Sequence, residues 1–166
     1  MAIPAASPAT RRDAVCCMTR TSRAAAAHVH CGTMSSAMDS RVGYWKSLAA
    51  YDLETAGAML RTGRHLYVGF MCHQAVEKML KAAWQAGHTD RIPPRTHNLE
   101  RLAFEAGLIE GLPERLRRVL IELEPLNVEA RYPTHRDALL KKLTKRYCTG
   151  LVGRTTRLTA WIEERL

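Results

Sequence analysis

Aromatic residues are scarce, 6% of the chain with two Phe and three Trp, and no long apolar run is present. A membrane-spanning helix needs roughly 20 consecutive apolar residues, so the sequence is expected to belong to a soluble, cytoplasmic protein with no membrane partner. Alternation of apolar and polar residues at a period of two is missing over any useful length, which argues against a sheet. Cysteine is present but unpaired in pattern: Cys16, Cys17, Cys31, Cys72 and Cys148 are odd in number and form no disulfide framework. Cys72 and Cys148 sit in apolar runs and read as small core residues. Cys16, Cys17, His28, His30 and Cys31 lack the paired ligand spacing of a zinc site, so no metal is expected. There is no phosphate-cradling Gly-rich loop and no H-E-x-x-H pair, which excludes ordinary nucleotide hydrolysis and metalloprotease chemistry and leaves no cofactor to expect.

What the chain has is positive charge. Lys and Arg number 25 against 16 acids, a net +9, in 166 residues. That balance favours an acidic partner such as RNA or a nucleotide. Residues 1–37 are rich in Ala, Ser, Thr and Arg and show no apolar periodicity, so they are expected to form a disordered tail, with Met34 or Met38 as an alternative start. Without the four Arg and Asp13 of that segment, residues 38–166 keep 21 bases and 15 acids, a net +6. The basic character therefore belongs to the expected single domain.

From residue 43 onward, apolar residues recur at helical spacing between Gly and Pro stops. Helices are predicted over 44–61, with Gly63 as the stop, and over 66–86, ending at Gly87. A short helix capped by Thr96 follows and ends at Gly107; another runs from Pro113 to about Asn127, and a closing helix covers 144–165. Residues 128–143 read as a loop with one helical turn. The expected fold is all-α, an up-and-down four-helix bundle with an extra short helix.

The most informative stretch is His73-Gln74-Ala75-Val76-Glu77-Lys78-Met79-Leu80-Lys81-Ala82. Its His73, Glu77, Lys81 and Trp84 share one helix side, with Lys78 displaced around it. Two readings stand: an i, i+4 pair of Glu77 and Lys81 beside a partly buried His73, or a phosphate-binding edge using His73, Lys78 and Lys81 with Asp52 fixing a lysine. Before this stretch lies Ala50-Tyr51-Asp52-Leu53-Glu54-Thr55-Ala56; after it come Thr96-His97-Asn98-Leu99 and Ala130-Arg131-Tyr132-Pro133. In that order and spacing, the four segments resemble the HEPN domain over residues 38–166.

The resemblance implies a helical protein associated with nucleotides or RNA and with a minimal nucleotidyltransferase partner, in a toxin–antitoxin-like module. It also implies self-pairing through helix faces, so a homodimer is expected. Catalytic members of the family are metal-independent endoribonucleases carrying Arg, four to six residues, then His near the start of a late helix. Such chemistry needs a histidine to move a proton and a cation to stabilise the charged phosphorane. Arg131 and His135 lie in the matching region, but with three residues between them, which departs from the pattern. Arg91 and His97 have five between them but occupy the connector before the short helix. The basic runs Arg115-Arg117-Arg118 and Lys141-Lys142-Lys145-Arg146 are candidate RNA-phosphate contacts or solvated faces. A helical adaptor with no catalytic role is the third alternative.

Overall fold

A computed structural model describes the backbone of residues 29–88, 90–129 and 133–166, and the side chains of 40–88, 90–128 and 137–166. Those residues form seven α-helices and no strand: α1 Val29–Arg61, α2 His65–Gly87, α3 Leu99–Glu105, α4 Glu114–Leu123, α5 Leu126–Glu129, α6 Pro133–Lys142 and α7 Lys145–Glu163. The all-α expectation holds. α2 touches each of the other six helices and is the axis of the bundle.

Small residues make that position possible. α1 buries Ala49, Asp52 and Ala56, spaced three and four apart, against an α2 that buries Cys72, Ala75, Val76, Ala82 and Ala83. Short side chains on both faces let the two backbones approach, and the antiparallel hairpin turns at Gly63, whose φ of 73° lies in the left-handed region that glycine occupies without strain. Leu99 and Leu102 of α3, Leu116, Val119, Leu120 and Leu123 of α4, Leu126 of α5, and Leu151, Leu158 and Ile162 of α7 close over the remaining sides. Fully burying a Leu or Ile side chain is worth about 1.5–3 kcal/mol, so this layer supplies the main favourable term.

Three boundaries differ from the sequence expectation. α1 begins at Val29, inside the segment expected to be a disordered tail, because no Pro interrupts residues 29–61 and their Ala, Met and Leu sustain a helix. The helix from Pro113 is split: Pro125 has no amide to continue the ladder, so α4 ends at Leu123 and α5 starts at Leu126. Residues 133–142, read as part of a loop, form α6. Pro133 there is the first helical residue, a position where its missing N–H and fixed φ cost nothing, so it opens a helix instead of breaking one.

Leu126 of α5 packs directly on Gly69 of α2. A Cβ on Gly69 would lie 2.9 Å from Leu126 Cδ1, and Leu126 is itself buried. Gly69→Val is expected to destabilise the protein by about 1–3 kcal/mol through overpacking, read as a lower urea midpoint with an unchanged slope.

Candidate functional site

Helix α2 is buried almost all round, yet carries His73, Glu77, Lys81 and Gln85 at four-residue intervals, each under 10% exposed. Burying such groups is costly unless their polar atoms are bonded, and the structure bonds His73, Glu77 and Gln85 to the connector that precedes α3, and Lys81 to Glu77. The ring of His73 donates from Nε2 to the His97 carbonyl at 3.1 Å. The Gln85 amide donates to the carbonyls of His88 and Arg91, at 2.6 and 3.2 Å. His88 in turn stacks on Trp84, with ring centroids 4.0 Å apart, and its Nδ1 donates to the Trp84 carbonyl at 2.8 Å. The polar stripe of α2 is thus a clamp for an otherwise irregular stretch of chain.

At its centre is the Glu77 carboxylate. It accepts from Lys81 Nζ at 2.7 Å and from His97 Nδ1 at 2.9 Å, with Gln74 Nε2 at 3.4 Å. Burial pushes this carboxyl up, but the hydrogen bonds from Lys81 and His97, with their charges, outweigh it and hold Glu77 below its ordinary value of 4.5. Lys81 also lies 5.5 Å from the Trp45 ring centre, a cation–π distance. The His97 side chain is 65% exposed, so its backbone carbonyl and Nδ1 face the protein while the rest of its ring meets solvent.

The same connector is locked from its far end. Asn98, rather than Thr96, caps α3: its side-chain oxygen accepts from Arg101 N at 2.6 Å, while Thr96 Oγ1 accepts from Asn98 N at 3.2 Å. Thr96 lies too early in the chain to reach the first helical amides. Glu124 accepts from Leu99 N at 2.9 Å, and burial raises its carboxyl above the ordinary value.

Of the residues expected to bind nucleotide or RNA, His73 and Lys81 meet at Glu77, 3.8 and 2.7 Å away, whereas Lys78 turns to α1, and both lysines are paired. Lys78 is ion-paired with Asp52 of α1, and Lys81 with Glu77. The i, i+4 reading of Glu77 and Lys81 matches the geometry, as does the fixing of a lysine by Asp52. Lys141, Lys142, Lys145 and Arg146 are elsewhere, exposed around the turn from α6 to α7, and none has an ion-pair partner among the described residues. Arg131 lies outside the described residues; His135 falls in the first turn of α6, and its side chain lies outside them too. The side chains of Cys16, Cys17, His28, His30 and Cys31 also fall outside, and no metal-binding group occurs among the described residues.

Sequence reasoning missed Gln85 and the capping role of Asn98. The first was legible as the next four-residue step after Lys81. It also missed Arg154 and Arg157, which α7 packs beside Arg115 of α4 across a gap of 39 residues and more in sequence. The thiols of Cys72 and Cys148 are buried, and burial pushes them up to about 12 and about 11, so both are inert core residues.

The HEPN domain family model matches residues 42–165, the whole described bundle apart from the first part of α1. The chain belongs to the HEPN domain family. Its fold is similar to the crystal structure of TT1696 from Thermus thermophilus, with a TM-score of 0.65 and 23% identity over 76% of this chain and 98% of that one. No curated protein matches this HEPN chain. None of its described helices is long and apolar enough to cross a membrane.

The clamp makes a pH-dependent contribution. Because the Glu77 carboxyl is lowered in the folded state, its stabilisation is present above 4.5 and is lost as pH falls through the lower folded value. Glu77→Gln is therefore expected to cost about 3 kcal/mol at pH 7, since Lys81 loses its buried partner. The gap to wild type should narrow in urea titrations run below pH 4.5.

Proposed function

We propose that this HEPN protein binds nucleotide or RNA and acts with a separately encoded minimal nucleotidyltransferase in a toxin–antitoxin-like module. The observation that carries the binding half is the α6–α7 turn, where Lys141, Lys142, Lys145 and Arg146 are all exposed. Cations without carboxylate partners are free to neutralise phosphates, whereas Lys78 and Lys81 are occupied in ion pairs. The nucleotidyltransferase half rests on family membership. A homodimer accompanies this reading: Tyr44 and Tyr51, seven residues apart on α1, are 59% and 68% exposed and give α1 an aromatic face for self-association.

RNA binding should fall steeply with salt. For single strands the log–log slope is about −0.7 per neutralised phosphate, so replacing Lys141, Lys142, Lys145 and Arg146 by Gln should flatten it by roughly 0.7 for each phosphate no longer neutralised. Lys78→Gln and Lys81→Gln should instead lower the unfolding midpoint and leave the slope unchanged. Salt-independent binding, or a slope untouched by the four substitutions, would overturn the assignment. Co-purification with a coexpressed nucleotidyltransferase and light scattering of the full chain test the partner and the dimer.

One observation favours a second reading, a metal-independent endoribonuclease. α6 starts at Pro133, which puts His135 in the first turn of a late helix just after Arg131, the placement the family resemblance implies for a catalytic pair. Histidine would move the proton between the ribose 2′-hydroxyl or leaving oxygen and solvent, and Arg131 would stabilise the charged phosphorane. Labelled RNA incubated in EDTA should then be cleaved by wild type and not by His135→Ala, while His97→Ala, which loosens the α3 clamp, should lower stability more than activity.

A further inference from the structure

We propose that the groove between α4 and α7 is a binding site for a nucleoside phosphate, a planar base carrying a phosphate, supplied free or as an RNA end. The proposal rests on the nucleotide-binding reading above and places it at a second location. The groove encloses about 420 Å³, within the usual range of small-ligand sites of about 300–1,000 Å³. Its floor is apolar, from Leu116, Val119 and Ala160, and its walls carry Arg115, Arg154 and Arg157, with Trp161 and Glu164 at one end.

The arginines are not equivalent. Arg154 is held by Glu122 in a two-pronged pair at 2.6 and 3.1 Å, so most of its charge is answered inside the protein. Arg115 and Arg157 have no carboxylate partner among the described residues. Two guanidiniums lining one groove without an ion-pair partner among the described residues match a dianionic phosphate, which accepts the planar fork of Arg in paired hydrogen bonds.

Helix α7 also accepts a local cost that keeps these side chains low. Glycine inside a helix is destabilising by about 1 kcal/mol relative to Ala, and α7 has two, Gly150 and Gly153. Arg154 Nη1 lies 3.0 Å from where a Cβ on Gly150 would be, and Arg157 Nη1 lies 3.8 Å from the same point on Gly153. The missing side chains leave room for the guanidiniums to lie along the helix surface beside the groove.

The base-binding element is Trp161. Its indole face already stacks a flat group, the Arg165 guanidinium, 3.8 Å from the ring centre. Arg165 is otherwise held by the Trp161 carbonyl at 2.7 Å and lies 3.6 Å from Glu164, the acid in the groove's lining. A nucleobase can replace that guanidinium on the ring or lie beside it over the apolar floor. An inorganic phosphate would use the arginines and leave the floor and the indole without a partner.

Calorimetric titration of the full chain with AMP, GMP, CMP and UMP, with adenosine, and with inorganic phosphate tests the assignment. At least one nucleotide should bind tenfold or more tightly than phosphate or adenosine alone. Arg115→Gln/Arg157→Gln should weaken it by about tenfold or more, as expected for the removal of charge-assisted hydrogen bonds, while Arg61→Gln/Arg64→Gln, the same charge change outside the groove, should stay within about twofold. Circular dichroism of both double variants establishes that they fold. Competition by a 5′-phosphorylated RNA decamer and by its 5′-hydroxyl form then separates an RNA end from a free nucleotide as the source. Nucleotides that bind no better than phosphate, or equal losses in the two double variants, would overturn the site. If RNA still binds through the α6–α7 turn in that case, the broader reading survives the loss of this one; if wild type binds neither RNA nor any nucleotide, both fall.

Discussion

One buried carboxylate organises the centre of this protein. Glu77 lies on the helix that touches all the others, where an unpaired charge would be prohibitive, and it is made tolerable by donors from two directions. Lys81 comes from the next turn of the same helix; His97 comes from a separate segment twenty residues on in sequence. The second contact gives the arrangement its structural value, because an ion pair within α2 would only satisfy itself. With His97 included, the charge that α2 must bury becomes the anchor for the chain leading into α3, and through Asn98 and Glu124 for the start of α3 itself.

This accounts for an unusual feature of α2. A helix buried on every side is normally apolar on every side. Here one row of four-residue steps is polar because what covers it is irregular backbone from the connector, whose carbonyls need donors. Apolar residues at 73 and 85 would leave the carbonyls of His97, His88 and Arg91 without those bonds.

Much of the fold was legible in the sequence because its signals are local. Gly63 and Gly107 both adopt positive φ where helices were expected to stop, and the α2 limits fall within a residue of the expected ones. The Glu77–Lys81 pair and the Asp52–Lys78 contact also follow from spacing and from a short hairpin. What escaped was Pro, whose effect depends on position: Pro125 divides a helix and Pro133 begins one, and composition alone does not separate the two cases. The α4–α7 groove escaped for a different reason. Arg115, Arg154 and Arg157 lie on helices far apart in the chain, and only packing brings them to one place.

The Glu77 clamp also bears on how this sequence can change. A carboxylate shared by Lys81 and His97 ties three positions into one energetic unit, so the effect of a substitution at any one depends on what occupies the other two. A neutral residue at 77 strands a lysine and a histidine; an apolar residue at 81 or 97 deprives the acid of one of its two closest donors. Drift through single steps is therefore obstructed at these sites, and the polar centre of α2 can be exchanged for an apolar one only as a set.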